Sequence, residues 1–375
     1  MNNHLQSQKL AIFLSTSGHS GVDRIMKNLI PEIASRGIHV DVLKVKNHGP
    51  NLEEIPEGVQ IIELGSSHTY TSLLPLVRYL KANQPDALLS DKDKVNRVAL
   101  IATKLADVKT KVSVRNGTTV SVDLKKRGWL DRKAHYLSMH YLYRNAHAIL
   151  APSRGAADDL AKCANISPNK VTSIPNPVVT DKVLELGNTP PTHPWLKEKN
   201  SPFIVSVGEL SPRKDFATLI SSFALVHKQT KAKLVILGEG KQRQHLEELI
   251  KELNIENEVS LPGFCDNPYS YMKHADLFVM SSRWEGFGNV LAEALAFGTP
   301  CVSTDCPSGP SEILQNGKYG KLVPVGDSEA MASSIIASLE NPIPRQETQK
   351  GATAFTVETC ATAYLNALGI TPHPA

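Results

Sequence analysis

What most limits the fold of this 375-residue chain is a repeated alternation of short apolar runs with segments of helical length. It begins in "KLAIFLSTSGHSGVDRIMKNLIPEIASRGIHVDVLKV". An apolar run and a Gly/Ser turn lead into helical spacing through Val22, Ile25, Met26, Leu29 and Ile33, and a second run follows at Ile38, Val40 and Val42. Further runs lie at Val59 to Ile62, Ala87 to Leu89, Val112 to Val114 and Ala148 to Leu150. Buried runs alternating with helices predict a parallel sheet covered on both faces. The pattern stops at "IPNPVVTDKVLELGNTPPTHPWLKEKNSP", which Pro175, Pro177, Pro190, Pro191, Pro194 and Pro202 punctuate, so the interdomain linker is expected there. It restarts with "FIVSVG", "AKLVILG", "EVSLPG", "ADLFVMSS", "PCVSTD" and "GKLVPV" as strands, and with helices at Phe216 to His227 and Lys241 to Leu253.

The expectation is an α/β chain of two doubly wound Rossmann-like domains, residues 1–190 and 200–354. A closing segment, 355–375, contains "TVETCATAYLNALG", which reads as a helix able to pack back on the first domain. Such a length exceeds one comfortable hydrophobic core. Two domains of this kind facing one another across a cleft put ligands just beyond the carboxyl ends of the strands.

Composition excludes several classes. No run of about 18 apolar residues suggests a membrane span, and Met1 to Lys9 lacks the apolar core of a secretory signal, so a cytoplasmic protein is expected. Cys163, Cys265, Cys301, Cys306 and Cys360 form no C-x-x-C pair and read as reduced packing residues. The net charge of +4 is unevenly spread: Lys92 to Arg154 holds fourteen Lys or Arg against four Asp. Within it, "DLKKRGWLDRKAHYLSMHYLYRNAH" interleaves cations with Trp129, Tyr136, Tyr141 and Tyr143. Either this half meets an anionic partner, such as the inner face of a membrane, or it is a solvated helix face over aromatic core residues. Nucleic acid is not expected, because no reading module accompanies the charge.

The stretch "EGFGNVLAEALAFGTP", from Glu285 to Pro300, concentrates the chemistry. A strand is expected through Met280, and Gly286 and Gly288 hold back a helix whose N-cap is expected at Asn289, with Val290, Leu291, Ala294 and Leu295 spaced to bury one face. Glu285 then lies ahead of the helix N-terminus and Glu293 about one turn inside it. Free amides at such a terminus suit a phosphate, whereas carboxylates accept hydrogen bonds from vicinal hydroxyls. A diphosphate with hydroxyls on both sides, that is a nucleotide sugar, satisfies all three groups. Read alone, a pair of acids so spaced is more readily two surface glutamates, and the strand, glycine and helix-start context shifts the balance. "VGELSPRKD" places Arg213 and Lys214 after another strand, where a cation neutralises a departing diphosphate or is simply solvated. Gly18 and Gly21 in "STSGHSGV" fit a phosphate-approach loop or a plain turn, and Gly238 in "GEG" a nucleotide-pocket wall or a tight turn. The "DKD" at 91–93 is discounted as a metal site, since Lys92 and Lys94 compete with a cation, and no His pairing suggests a metal.

These stretches, with "EGFGNVLAEALAFGTPCVSTDCPSGPSEIL", "VGELSPRKDFATLI", "LVILGEG", "LPGF" and "IPNPV", resemble glycosyltransferase family 4, the retaining nucleotide-sugar enzymes of GT-B fold. Within that family the chain is similar to the bacterial branch that builds lipopolysaccharide cores and surface glycans. The resemblance implies Glu285 on a donor-sugar hydroxyl, Gly286, Phe287, Gly288, Asn289 and Val290 near the sugar and diphosphate, Glu293 on the ribose and Lys214 on the diphosphate. It further implies His19, Arg115 and Asn116 on the acceptor side, a glycan or glycolipid acceptor, and no cofactor. Two positions depart from the family pattern: Glu209 and Arg115 stand where many members carry Arg and His. A nucleotide-sugar epimerase of related shape and a non-catalytic sugar-binding protein are the rival readings; the absence of G-x-G-x-x-G after the first strand disfavours a nicotinamide dehydrogenase.

Overall fold

A computed structural model describes residues 8–18, 20–125, 127–197 and 200–371. The chain divides into two compact units: one runs to Pro177 and resumes at Val357, and the other is Val178–Thr356.

The first unit carries β1 (Lys9–Leu14), β2 (His39–Lys44), β3 (Val59–Glu63), β4 (Ala87–Asp91), β5 (Lys111–Arg115), β6 (Ala148–Ala151) and β7 (Val171–Ser173). They form one sheet in the order β3-β2-β1-β4-β5-β6-β7, with every neighbour parallel. The two-residue side-chain period divides β1 between two cores: Leu10, Ile12 and Leu14 point to one face, Ala11 and Phe13 to the other. Ile25, Met26, Leu29 and Ile33 of the helix Gly21–Ser35 cover the first face, beside Ala361, Tyr364, Leu365 and Leu368 of the helix Val357–Leu368. Full burial of such side chains stabilises by about 1.5–3 kcal/mol each.

The second unit carries β8 (Phe203–Val207), β9 (Lys233–Leu237), β10 (Val259–Gly263), β11 (Leu277–Met280), β12 (Cys301–Thr304) and β13 (Lys321–Val323), all parallel, in the order β10-β9-β8-β11-β12-β13. In each sheet the winding reverses once, between β1 and β4 and between β8 and β11. In open parallel sheets, ligands bind beyond the carboxyl ends of the strands at such a reversal.

The crossing between units lies inside the proline-rich stretch, but most of that stretch is folded into the second unit. Thr180 caps the helix Asp181–Gly187 by accepting from Val183 N–H at 3.0 Å, and Pro194 opens the short helix Pro194–Lys197. Val178, Val179, Val183 and Leu196 enter the second unit's core. The crossing therefore falls at Pro177, ahead of the expected 190–200, because prolines fit the first turn of a helix as well as they fit a loop.

Arg115 fastens the first unit where the chain leaves and re-enters it. Fully buried at 0% exposure, its guanidinium donates to the Asp91 carboxylate, to Asn176 Oδ1 at 2.6 Å and to the Tyr364 hydroxyl at 2.8 Å. Burial alone would lower its pKa; the Asp91 charge, with Tyr364 and the hydrogen bonds to both, together more than offset this and hold the guanidinium ionised. Arg115 thus presents no surface to an acceptor, which corrects the expectation placed on it. Asn116 is likewise buried, donating to the Tyr143 hydroxyl at 3.2 Å. The acids of "DKD" are also committed, Asp91 to Arg115 and Asp93 to Arg97 and His135. Arg115→Met strands the Asp91 charge and should cost about 3–5 kcal/mol. A denaturant titration should show the lowered midpoint, and adding Asp91→Asn should recover part of it.

Candidate active site

The second unit's winding reversal brings two loops together. One follows β8 and carries Arg213 and Lys214; the other follows β11 and carries Glu285. Lys214 Nζ donates to Glu285 Oε1 and Arg213 Nη1 to Glu285 Oε2, both at 2.6 Å, and Ser282 Oγ donates to Oε1 at 2.8 Å. Glu285 and Lys214 are buried, whereas the Arg213 side chain is 35% exposed and forms the open side of the cluster. Burial by itself would raise the Glu285 pKa, but the charges of Lys214 and Arg213 and the hydrogen bonds from Lys214 and Ser282 hold it below the ordinary carboxylate value. Burial and the Glu285 charge push the nearby Cys306 thiol up to about 12, so it stays protonated.

Both loops are built for close approach. At Gly238, with φ of 146°, a Cβ would meet Gly208 O at 1.9 Å, so this glycine lets the turn after β9 lie against the Lys214 loop. Gly288 has φ of 104° and takes the cap position of the helix Asn289–Ala296, so Asn289 is the first helical residue and not the N-cap. A left-handed cap suits glycine, which has no Cβ to strain.

Among the other expected residues, Phe287 is a core anchor, packed edge-on to Phe355 at 5.3 Å. Gly286, Asn289 and Val290 are half-buried beside it. Glu293 lies within the helix at 0% exposure. In the first unit, Gly18 has φ of 86° and Gly21 starts its helix, but Ser20 N–H and Oγ–H both donate to Asp23, at 2.7 and 2.6 Å. The Asp23 carboxylate of this capping box takes up the Ser20 amide at the start of the helix. His19 lies outside the described residues. Sequence reasoning passed over Ser281, Arg283 and Asp215, which tie the two loops together, and Ser282, which holds Glu285 within its own loop; the signal available was a polar cluster immediately after the apolar run ending at Met280. Among the described residues, no cluster of His, Cys, Asp or Glu could hold a metal ion, and no helix is long and apolar enough to cross a membrane.

Comparison with known proteins bears on the family and the fold. Residues 192–355 match the family model described as glycosyl transferases group 1, and residues 19–182 the model for glycosyltransferase family 4. Over 350 residues the chain is 33% identical to N-acetylgalactosamine-N,N'-diacetylbacillosaminyl-diphospho-undecaprenol 4-alpha-N-acetylgalactosaminyltransferase of Campylobacter jejuni, covering 89% of this chain and 91% of that protein. It is 24% identical to the amylovoran biosynthesis glycosyltransferase AmsD of Erwinia amylovora, over 83% of this chain and 85% of that one. The crystal structure of Anabaena HepE in complex with UDP superposes with a TM-score of 0.78 at 19% identity, covering 96% of this chain and 99% of that one.

The depressed Glu285 pKa makes a pH prediction. Its stabilisation is fully present above the ordinary value of 4.5 and is lost as pH falls through the lower folded value. The parent should exceed Glu285→Gln in unfolding free energy at neutral pH, and the two curves should converge as pH drops below 4.5.

Proposed function

The chain belongs to the GT-B glycosyltransferases of family 4, and we propose that it is a retaining, metal-independent hexosyltransferase acting on a UDP-linked donor. The acceptor is a glycan or lipid-linked glycan in bacterial surface-polysaccharide synthesis, a reading supported by the names of the Campylobacter and Erwinia relatives. One observation carries the site assignment: two cations converge on a buried carboxylate at the winding reversal of the second sheet.

In this reading the donor diphosphate replaces Glu285 as the partner of Lys214 and Arg213. Glu285, released, accepts from hydroxyls of the donor sugar, amides of Gly286 to Asn289 line the diphosphate, and Glu293 takes the ribose once its cover opens. The bond from the anomeric carbon to the phosphate oxygen breaks as the acceptor oxygen bonds on the same face, and the acceptor proton passes to the departing phosphate oxygen. The task is positioning and charge stabilisation, so no pair of flanking acid and base carboxylates is required. Lys214→Ala should lower turnover about 10²–10³-fold, a larger effect than on UDP affinity, whereas Glu293→Ala should act mainly on nucleotide affinity. Inverted product stereochemistry by NMR, or equal UDP affinity in the parent and Glu293→Ala, would overturn these assignments.

A second reading concerns where the first unit works. The helix Trp129–Leu142 leaves Trp129, Leu130, Leu137 and Tyr141 exposed, the first two at 62% and 72%. Lys133 lies over the Trp129 ring at 5.3 Å, and Tyr143 is buried beneath, so the aromatic run divides between core and surface. An apolar stripe within a region of excess positive charge suits an anionic lipid surface. Sedimentation with phosphatidylglycerol vesicles, but not with phosphatidylcholine vesicles, should be lost in Leu130→Glu/Leu137→Glu while UDP binding persists. Equal sedimentation of parent and variant would count against it.

A further inference from the structure

Three successive residues of the cation loop are each gripped by the acid loop. Arg283 N–H donates to Arg213 O, Ser281 Oγ donates to Lys214 O, and Arg283 Nη1 donates to Asp215 Oδ2, each at 2.8 Å. Asp215 also accepts from Thr218 Oγ1 at 2.9 Å. It holds a left-handed backbone, φ 49°, a conformation that glycine adopts freely and that other residues adopt at a cost. The carboxylate therefore has a use that offsets the strain, and its partner shows what that use is. Arg283 spans the loop, fastening residue 213 through its backbone and residue 215 through its side chain, so that the Arg213 and Lys214 side chains project toward Glu285.

We propose that Asp215 and Arg283 are positioning residues that set Arg213 and Lys214 for the donor's diphosphate without touching the donor themselves. This rests on the assignment of the diphosphate to those two cations. The Asp215 side chain is mostly buried and the Arg283 side chain half exposed, so the pair gains little from its charge alone. Its effect is to fix geometry, and a displacement of about 1 Å at such a site is costly.

UDP and UMP are suitable probes, because they differ by the phosphate the two cations would hold. Asp215→Gly keeps the left-handed backbone accessible and removes the carboxylate; Arg283→Gln removes its partner. The first raises the local charge by one and the second lowers it by one, so long-range attraction would move UDP affinity in opposite directions. Lost positioning moves both down. By isothermal titration, each variant should bind UDP about tenfold more weakly, with UMP affinity and melting temperature near those of the parent, and the double variant should be no weaker than either single one. Opposite shifts, parallel losses of UDP and UMP affinity, multiplying effects in the double variant, or unchanged UDP affinity would each overturn the proposal. Lys214→Ala serves as the control for the underlying assignment. If it keeps the parent's preference for UDP over UMP, the site reading fails; if it loses that preference while Asp215→Gly and Arg283→Gln keep it, only the positioning proposal fails.

Discussion

The second unit is organised around a carboxylate that has been taken out of water and given two cations in return. Removing an ionised group from solvent costs several kcal/mol, and the cost is offset only where the geometry is close and the remaining lone pairs are satisfied. Glu285 meets that condition through Lys214, Arg213 and Ser282, all within 2.8 Å. The condition also dictates the surrounding chain. The two loops must leave neighbouring parallel strands that wind in opposite directions, and the turn after β9 must lack a side chain at Gly238 to lie against them. A cluster arranged in this way carries one anion when empty. In the proposed reading, binding a diphosphate would be an exchange of one anion for another, and an uncharged sugar would gain no access to the cations.

The first unit uses the same chemistry to a different end. Asp91 and Arg115 also form a buried ion pair at the carboxyl ends of adjacent strands. There the guanidinium is enclosed at 0% exposure, and its other hydrogen bonds go to Asn176 and Tyr364. Arg213, by contrast, keeps 35% of its side chain in solvent. A buried ion pair with no open side is a fastening, while one with an open side can trade its partner. The distinction lies in the fourth wall of the site rather than in the residue types, which is why "SVRNG" read as a plausible substrate contact in the sequence and is none in the structure.

Much of the fold was legible because it rests on local periodicity. Runs such as "FIVSVG" and "KLAIFL" declare buried parallel strands, and the helix after Gly288 follows from Leu291, Ala294 and Leu295 on one face. The glycines and acids of "EGFGNVLAE" likewise marked the site loop. What escaped depends on partners far away in the chain. Asp215 and Arg283 are 68 residues apart, and Arg115 and Tyr364 are 249 apart, so neither tie leaves a periodic trace. The unit boundary was missed for a different reason. Prolines at 175, 177, 190, 191 and 194 are equally compatible with a linker and with short capped helices, and only the burial of Val183 and Leu196 decides between them.

The helix end and the cations do not contribute equally to holding a phosphate. A helix of only eight residues, Asn289–Ala296, offers a terminal dipole worth about 0.3–1 kcal/mol to an anion at an exposed end. Charge-assisted hydrogen bonds contribute about 1.5–3 kcal/mol each, and two cations are available. In the proposed donor complex the loop after β8 would therefore supply most of the attraction, and the amides after Gly288 would chiefly supply direction. Glu285 matters for the same reason: it sets a carboxylate against both cations of the neighbouring loop. Without that internal anion, Lys214 would be a buried, uncompensated charge, and the fold would have to expose it.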